Sequence, residues 1–246
     1  MRIIHVAAPL IVLSTCASIE FREPGARVAE LVAKCAAYTH LGDLDQADVF
    51  CDHALSFDDH NPEALNNKGL IAQRRGKREQ AKKFFVWAIR ASNDSMAQAY
   101  LNLGVLALED GDPSTARDRF RRALRINPDY AEALHDLGLA SMRLNELAEA
   151  EKAFRTLIVV VPEVSQGYAG VGAVMLLTSR PKEALGWFDQ AIGLERDYPE
   201  AWRGKGTAYL ALGQHDDARE AFESCLEYAP GDVECQTAAK ELEALR

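Results

Sequence analysis

The stretch Ala97–Tyr130, AQAYLNLGVLALEDGDPSTARDRFRRALRINPDY, runs directly into Ala131–Val164, AEALHDLGLASMRLNELAEAEKAFRTLIVVVPEV. Laid over one another, the two align Gly104 with Gly138, Ala116 with Ala150, Phe120 with Phe154 and Pro128 with Pro162, each pair 34 residues apart. The coincidence extends in both directions. Units beginning at Val28, Pro62, Ala97, Ala131, Ser165 and Pro199 place Cys35, Gly69, Gly104, Gly138, Gly172 and Gly206 at an eighth position. The twentieth position reads Ala47, Ala81, Ala116, Ala150, Ala184 and Ala218, and the twenty-fourth Cys51, Phe85, Phe120, Phe154, Phe188 and Phe222. The spacing is 34 residues with a single 35, between Pro62 and Ala97. Glycine in a helix interior costs about 1 kcal/mol against alanine, so five glycines at one position imply a packing need. Two helix backbones are expected to touch there, with the phenylalanine filling the wedge that crossing helices leave open. The twenty-seventh position is small in five of six units, which lets the next unit dock.

These residues resemble the tetratricopeptide repeat, a 34-residue helix-turn-helix unit. The resemblance covers residues 28–232 and implies an all-α fold, a right-handed superhelical solenoid of six units (28–61, 62–95, 97–130, 131–164, 165–198 and 199–232). Three departures stand out: Cys35 replaces the small residue, Lys34, Lys68 and Lys205 take the usual leucine of position seven, and Asp59, Asn93 and Arg196 take the terminal proline. Residues 233–246 follow as an expected capping helix. Val233, Ala238, Ala239, Leu242 and Leu245 fall toward one face of it, as a repeat array requires where its last unit would otherwise expose an apolar surface.

The N-terminus is a different kind of sequence. Arg2 precedes an uncharged, mostly apolar run from Ile3 to Thr15, too short for a permanent span of about 20 residues and shaped like a secretion signal. Its end, Leu13-Ser14-Thr15-Cys16, resembles a bacterial lipobox, although Thr15 departs from the usual small residue. That resemblance implies a signal at 1–15 and an N-acyl diacylglyceryl lipid on Cys16. Cleavage after Ala17, giving a soluble periplasmic protein, or an uncleaved anchor are the other readings. Ala17 stands where inner-membrane lipoproteins often carry Asp, so the implied location is the outer membrane of a Gram-negative bacterium, facing the periplasm. Residues 16–27 read as a tether whose last eleven residues extend at most about 36–40 Å.

A formal charge of −9 over 246 residues argues against binding a phosphate backbone, and no lysine- and arginine-rich face stands out. Arg117, Arg119, Arg121, Arg122 and Arg125 do crowd one second helix. Four cysteines remain besides Cys16, and the register pairs them: Cys35 with Cys51 in the first unit, Cys225 with Cys235 at the junction of the last unit and the cap. An oxidising compartment favours two disulfides; buried free thiols are the alternative. Cys35, His40, Cys51 and His53 do not converge as zinc ligands must. No histidine sits in a nucleophile's context and no phosphate loop follows a strand, so neither enzyme activity, a metal, a soluble cofactor nor a small-molecule substrate is expected.

In the family that the repeats resemble, positions 2, 5, 9, 12 and 13 face a concave groove. Carried over residue by residue, this implies a protein-binding groove of Leu70, Leu101, Val105, Leu108, Leu139, Met142, Ala173, Leu176, Leu177 and Leu210, apolar from the third unit onward. Gln98, Glu132, His135, Arg143 and Arg203 supply a polar margin. The cationic clamp with which chaperone adaptors of this family hold a carboxylate is missing, since position five reads Val32, Asn66, Leu101, His135, Ala169 and Arg203. A lipobox, a short tether and six such units are similar to the pilotins of type IV pilus systems. That resemblance implies a non-enzymatic lipoprotein that binds secretin subunits and promotes their multimerisation, contacting the membrane only through its lipid. The same architecture fits a tight-adherence pilus or outer-membrane-protein assembly lipoprotein, or a scaffold for periplasmic cell-wall enzymes.

Overall fold

The structure, a computed structural model, describes residues 24–243. The expected signal, Cys16, most of the tether and the last three residues of the cap lie outside them. Of thirteen helices, twelve run in pairs, one pair to a unit, and the last is the cap; no strand occurs among the described residues. They are α1 (Pro24–Leu41) and α2 (Leu44–Phe57), α3 (Pro62–Arg74) and α4 (Arg78–Ala91), α5 (Ala97–Glu109) and α6 (Pro113–Ile126), then α7 (Ala131–Arg143) and α8 (Leu147–Val160). The series ends with α9 (Ser165–Leu177) and α10 (Pro181–Leu194), α11 (Pro199–Ala211) and α12 (His215–Tyr228), and the cap α13 (Val233–Glu243).

Local chemistry sets the boundaries. Asp43, Asn61 and Asp112 each accept the backbone N–H three residues on, at 3.0–3.1 Å, and prolines open α3, α6, α10 and α11, where a missing N–H costs nothing. Each turn within a unit passes through the left-handed region at its fifteenth position. Glycine supplies this in four units, and Asn145 (φ 59°) and Ser179 (φ 57°) in the other two. The 35-residue spacing is absorbed between α4 and α5, where Asn93 and Asp94 both adopt positive φ. Pro24 starts α1 four residues before the repeat register does, so the end of the expected tether is helix; proline's fixed φ suits a first helical turn.

Successive first helices touch one another along the array, whereas second helices make no comparable contact. The first helices therefore line the inside of the curve. Every buried side chain among the described residues lies between Val28 and Leu242, so a chain starting at Ala17 keeps the whole core. At the far end Cys235 and Leu242 of α13 are buried against α12, while Val233, expected on the same face, is 72% exposed.

Two of the position-seven lysines pair across units, whereas Lys34 pairs with Glu30 of its own helix at 2.9 Å. Lys68 Nζ reaches Asp48 and Asp52 of the preceding unit at 2.5 and 2.6 Å, and Lys205 Nζ reaches Asp189 at 2.6 Å. An ion pair there replaces the apolar contact between neighbours. Burial would raise the Asp48 pKa, but the hydrogen bonds from Lys68 and Arg75 prevail and hold it below its ordinary value.

Candidate protein-binding site

The recurring glycines do not bring two backbones together. A Cβ placed on Gly69, Gly104, Gly138, Gly172 or Gly206 would stand 2.4–2.8 Å from the ring of the phenylalanine sixteen residues later, in the second helix of the same unit. The glycine makes room for the ring, and Phe85, Phe120 and Phe154 are fully buried as a result. In the first unit Cys35 and Cys51 occupy the same two positions and are joined as a disulfide, with a Cα–Cα distance of 5.3 Å. A covalent bond thus fills the wedge that a ring fills elsewhere. Cys225 and Cys235 are joined likewise, Cα–Cα 6.5 Å, stapling the cap to α12. Asp232 lies beside this second pair but serves as a helix cap, its Oδ1 accepting the Cys235 N–H at 2.8 Å.

Two further glycines shape the concave side. Position six is Asn67, Asn102 and Asp136 in units two to four, but Gly170 and Gly204 in units five and six. A Cβ on Gly170 would meet Phe154 Cδ1 at 2.4 Å, and one on Gly204 would meet Phe188 Cζ at 2.3 Å. Here the first helix of the next unit settles directly on the ring, and no side chain stands between ring and groove. A concave cavity of about 300 Å³ opens there, lined by Leu139, Met142, Ala173 and Leu176 over Phe154, Gly170, Phe188 and Gly204. Its polar rim comprises His135, Gln166, Tyr198, Glu200, Arg203, Thr207 and Glu234. Arg203 is held by the cap, 3.0 Å from Glu234 and 3.4 Å from Asp232. Burial, then Glu200 and Glu195, push the Tyr198 phenol up to about 12, so it is a neutral hydrogen-bonding group at any physiological pH.

Of the ten residues expected in the groove, four therefore share one cavity. Leu70, Val105 and Leu108 lie half-buried against the core of units two and three. Leu101, expected on the groove surface, is 6% exposed and belongs to that core. Leu177 and Leu210 are exposed outside the cavity. Nearer the N-terminus the inner face is polar: Asn102 Nδ2 donates to Asn66 Oδ1 at 2.9 Å in a buried contact, and the Tyr130 hydroxyl donates to Gln98. Between α1 and that polar patch lies a larger, mostly apolar recess of about 740 Å³, lined by Val28, Val32 and Ala36 of α1 with Phe57 and Met96, and by Glu63, Asn66 and Asn67. The two extra glycines, Gly170 and Gly204, were the sequence signal for the C-terminal cavity.

One tetratricopeptide repeat model matches residues 107–169 and 176–242, and a second matches residues 66–131. The chain belongs to the tetratricopeptide repeat family. Members of this family are protein-interaction modules, and the concave cavity is where such a module offers apolar surface. A search among curated proteins returns no significant match. Among solved structures the chain is similar to PilF of Pseudomonas aeruginosa, with a TM-score of 0.77 at 16% identity over 92% of this chain and all of that one. It is also similar to PilW, a widely conserved type IV pilus biogenesis factor (TM-score 0.73, 20% identity, 85% of this chain and 97% of that one). A third is YrrB, a repeat protein with an unusual peptide-binding site (0.63, 18%, 77% and 97%). At these identities the likeness is one of fold.

Proposed function

We propose that this chain is a non-enzymatic outer-membrane lipoprotein of the pilotin kind, which captures an apolar segment of a secretin subunit and promotes secretin multimerisation in type IV pilus biogenesis. The observation that carries this reading is the cavity over Phe154 and Phe188, with Leu139, Met142, Ala173 and Leu176 facing an occupant inside a polar rim. Apolar trough and polar margin suit an amphipathic helix or a hydrophobic strand. Likeness to PilF and PilW over most of all three chains, together with the lipobox that ends at Cys16, supports the choice of client and place.

The mechanism follows from what an unassembled ring subunit exposes. Unpaired strand edges and apolar surface aggregate before their neighbours arrive. Occupying the cavity shields such a segment, and closure of the ring releases it in favour of its native partner. The lipid on Cys16 sets where this happens; the repeats supply no catalytic group. Deleting the gene and measuring heat-resistant secretin multimers in the outer membrane by gel tests the reading. Multimers are expected to be lost or to remain in the inner membrane, and normal multimers in the outer membrane would exclude it.

A further inference from the structure

The convex face carries a charge pattern that the whole-chain charge conceals. The formal charge is −9, yet α4 and α6 together hold nine lysines and arginines against two acids, Glu79 and Asp118. The outer helices at the two ends are the reverse: α2 has three aspartates and no lysine or arginine, and α12 has five acids and one arginine. A basic band therefore crosses the middle of an acidic solenoid.

Within the band, position decides which cations are occupied. Arg117 and Arg121 point along the array to Glu146 and Glu149 of the next unit, and Arg78 and Lys82 reach Glu109 and Asp110. Lys83, Arg90, Arg119, Arg122 and Arg125 point outward, exposed, with no ion pair to any described residue. Arg119, Arg122 and Arg125 line one recess of about 470 Å³ with Thr115, Asp118 and Arg121. On the same side the Tyr100 hydroxyl donates to Asp94 at 3.3 Å. Trp87 is 47% exposed between Lys83 and Arg90 on α4, at the register position that Arg122 holds on α6, and Ile126 is 37% exposed beside Arg125.

We infer that this face is a docking surface for anionic phospholipid headgroups, laying α4 and α6 against the bilayer and turning the concave cavity toward the aqueous side. Guanidinium forks match phosphate oxygens in geometry and charge. Tryptophan is the residue that prefers the membrane–water boundary. A bare electrostatic contact with an acidic protein would leave the half-exposed Trp87 and Ile126 without a role. No helix among the described residues is long and apolar enough to cross a membrane, so the contact is superficial and adds to the lipid anchor expected on Cys16. It also revises the sequence expectation that no basic face exists. The inference does not depend on the identity of the client, and the secretin assay does not test it.

The test uses the chain from Ala17 onward, without lipid, sedimented with phosphatidylcholine vesicles that do or do not contain phosphatidylglycerol. Binding is expected only with the anionic lipid, and raised salt should release it, because exposed charges are screened. Changing Arg119, Arg122 and Arg125 together to Gln should lower the partition coefficient about 100-fold, since each basic residue near the surface contributes roughly one order of magnitude or slightly less. Helical circular dichroism should not change, because these side chains bridge no described element. Trp87→Ala should lower binding further. The equally neutralising set Lys182→Gln, Arg196→Gln and Lys240→Gln should leave binding intact. Equal binding to both vesicle types, an equal loss with the second set, or tighter binding to duplex DNA or polyglutamate than to vesicles would overturn the inference.

Discussion

The inner faces of units two and three and of units five and six come from the same repeat and end up chemically opposite. In the first pair, position six is asparagine, and Asn102 at that position joins Asn66, at position five of the preceding unit, in a buried hydrogen bond. In the second pair position six is glycine, each helix rests on the preceding ring, and the groove opens over Phe154 and Phe188. The core positions hardly differ between the two. Changes at positions five and six, beside a core that is kept, therefore accompany the passage from a polar wall to an apolar cavity. The end units add a second lesson, since a disulfide in unit one occupies the wedge that glycine and phenylalanine fill elsewhere.

The strongest way to break this contrast is Phe154→Ala. The ring is fully buried and serves both its own unit and the next, so the change should cost about 3–5 kcal/mol. Hydrogen exchange should accelerate in α7 to α10 before α1 to α4, and uniform acceleration would contradict the local role assigned to the ring. Removing the first disulfide, as Cys35→Ser with Cys51→Ser, should cost about 2–3 kcal/mol for a loop of this length. Denaturant melts should show that loss, with exchange now faster in α1 to α3. Smaller still, Gly170→Asn places the side chain of unit three in unit five. It should destabilise by about 1–3 kcal/mol through overpacking against Phe154 and should close the cavity, which loss of binding of a small apolar fluorescent probe can follow. A stability equal to the wild type would show that the helix does not rest on the ring.

Most of the scaffold was legible because period and packing are the same fact read twice. The six helix pairs and the Cys35–Cys51 pairing follow from residues that recur every 34 positions, and the cap with the Cys225–Cys235 pairing follows from the apolar face beyond the last unit. What occupies the glycine was misread, since the sequence says that space is needed and not whether backbone or ring will take it. The groove was legible only in part. Leu139, Met142, Ala173 and Leu176 meet in one cavity, but Leu101 is lost to the core that units two and three share, a burial its register position does not reveal. The position-seven lysines looked like departures until Asp48, Asp52 and Asp189 appeared opposite them; compensation between units has no signature within a unit. Likewise the basic band vanishes in a whole-chain sum and emerges only when second helices are set side by side.

The most direct test of the central claim, that the cavity of units four to six is where the client is held, is the amount of heat-resistant secretin multimer in cells that carry Leu139→Glu, Met142→Glu and Leu176→Glu together. All three side chains are partly exposed, so the purified variant should keep its helical circular dichroism. Multimers should fall to the level of the deletion strain, while a companion with Asn67→Asp and Gln98→Glu in the polar half should keep them. Normal multimers with the triple variant, at normal protein level, would place the site elsewhere.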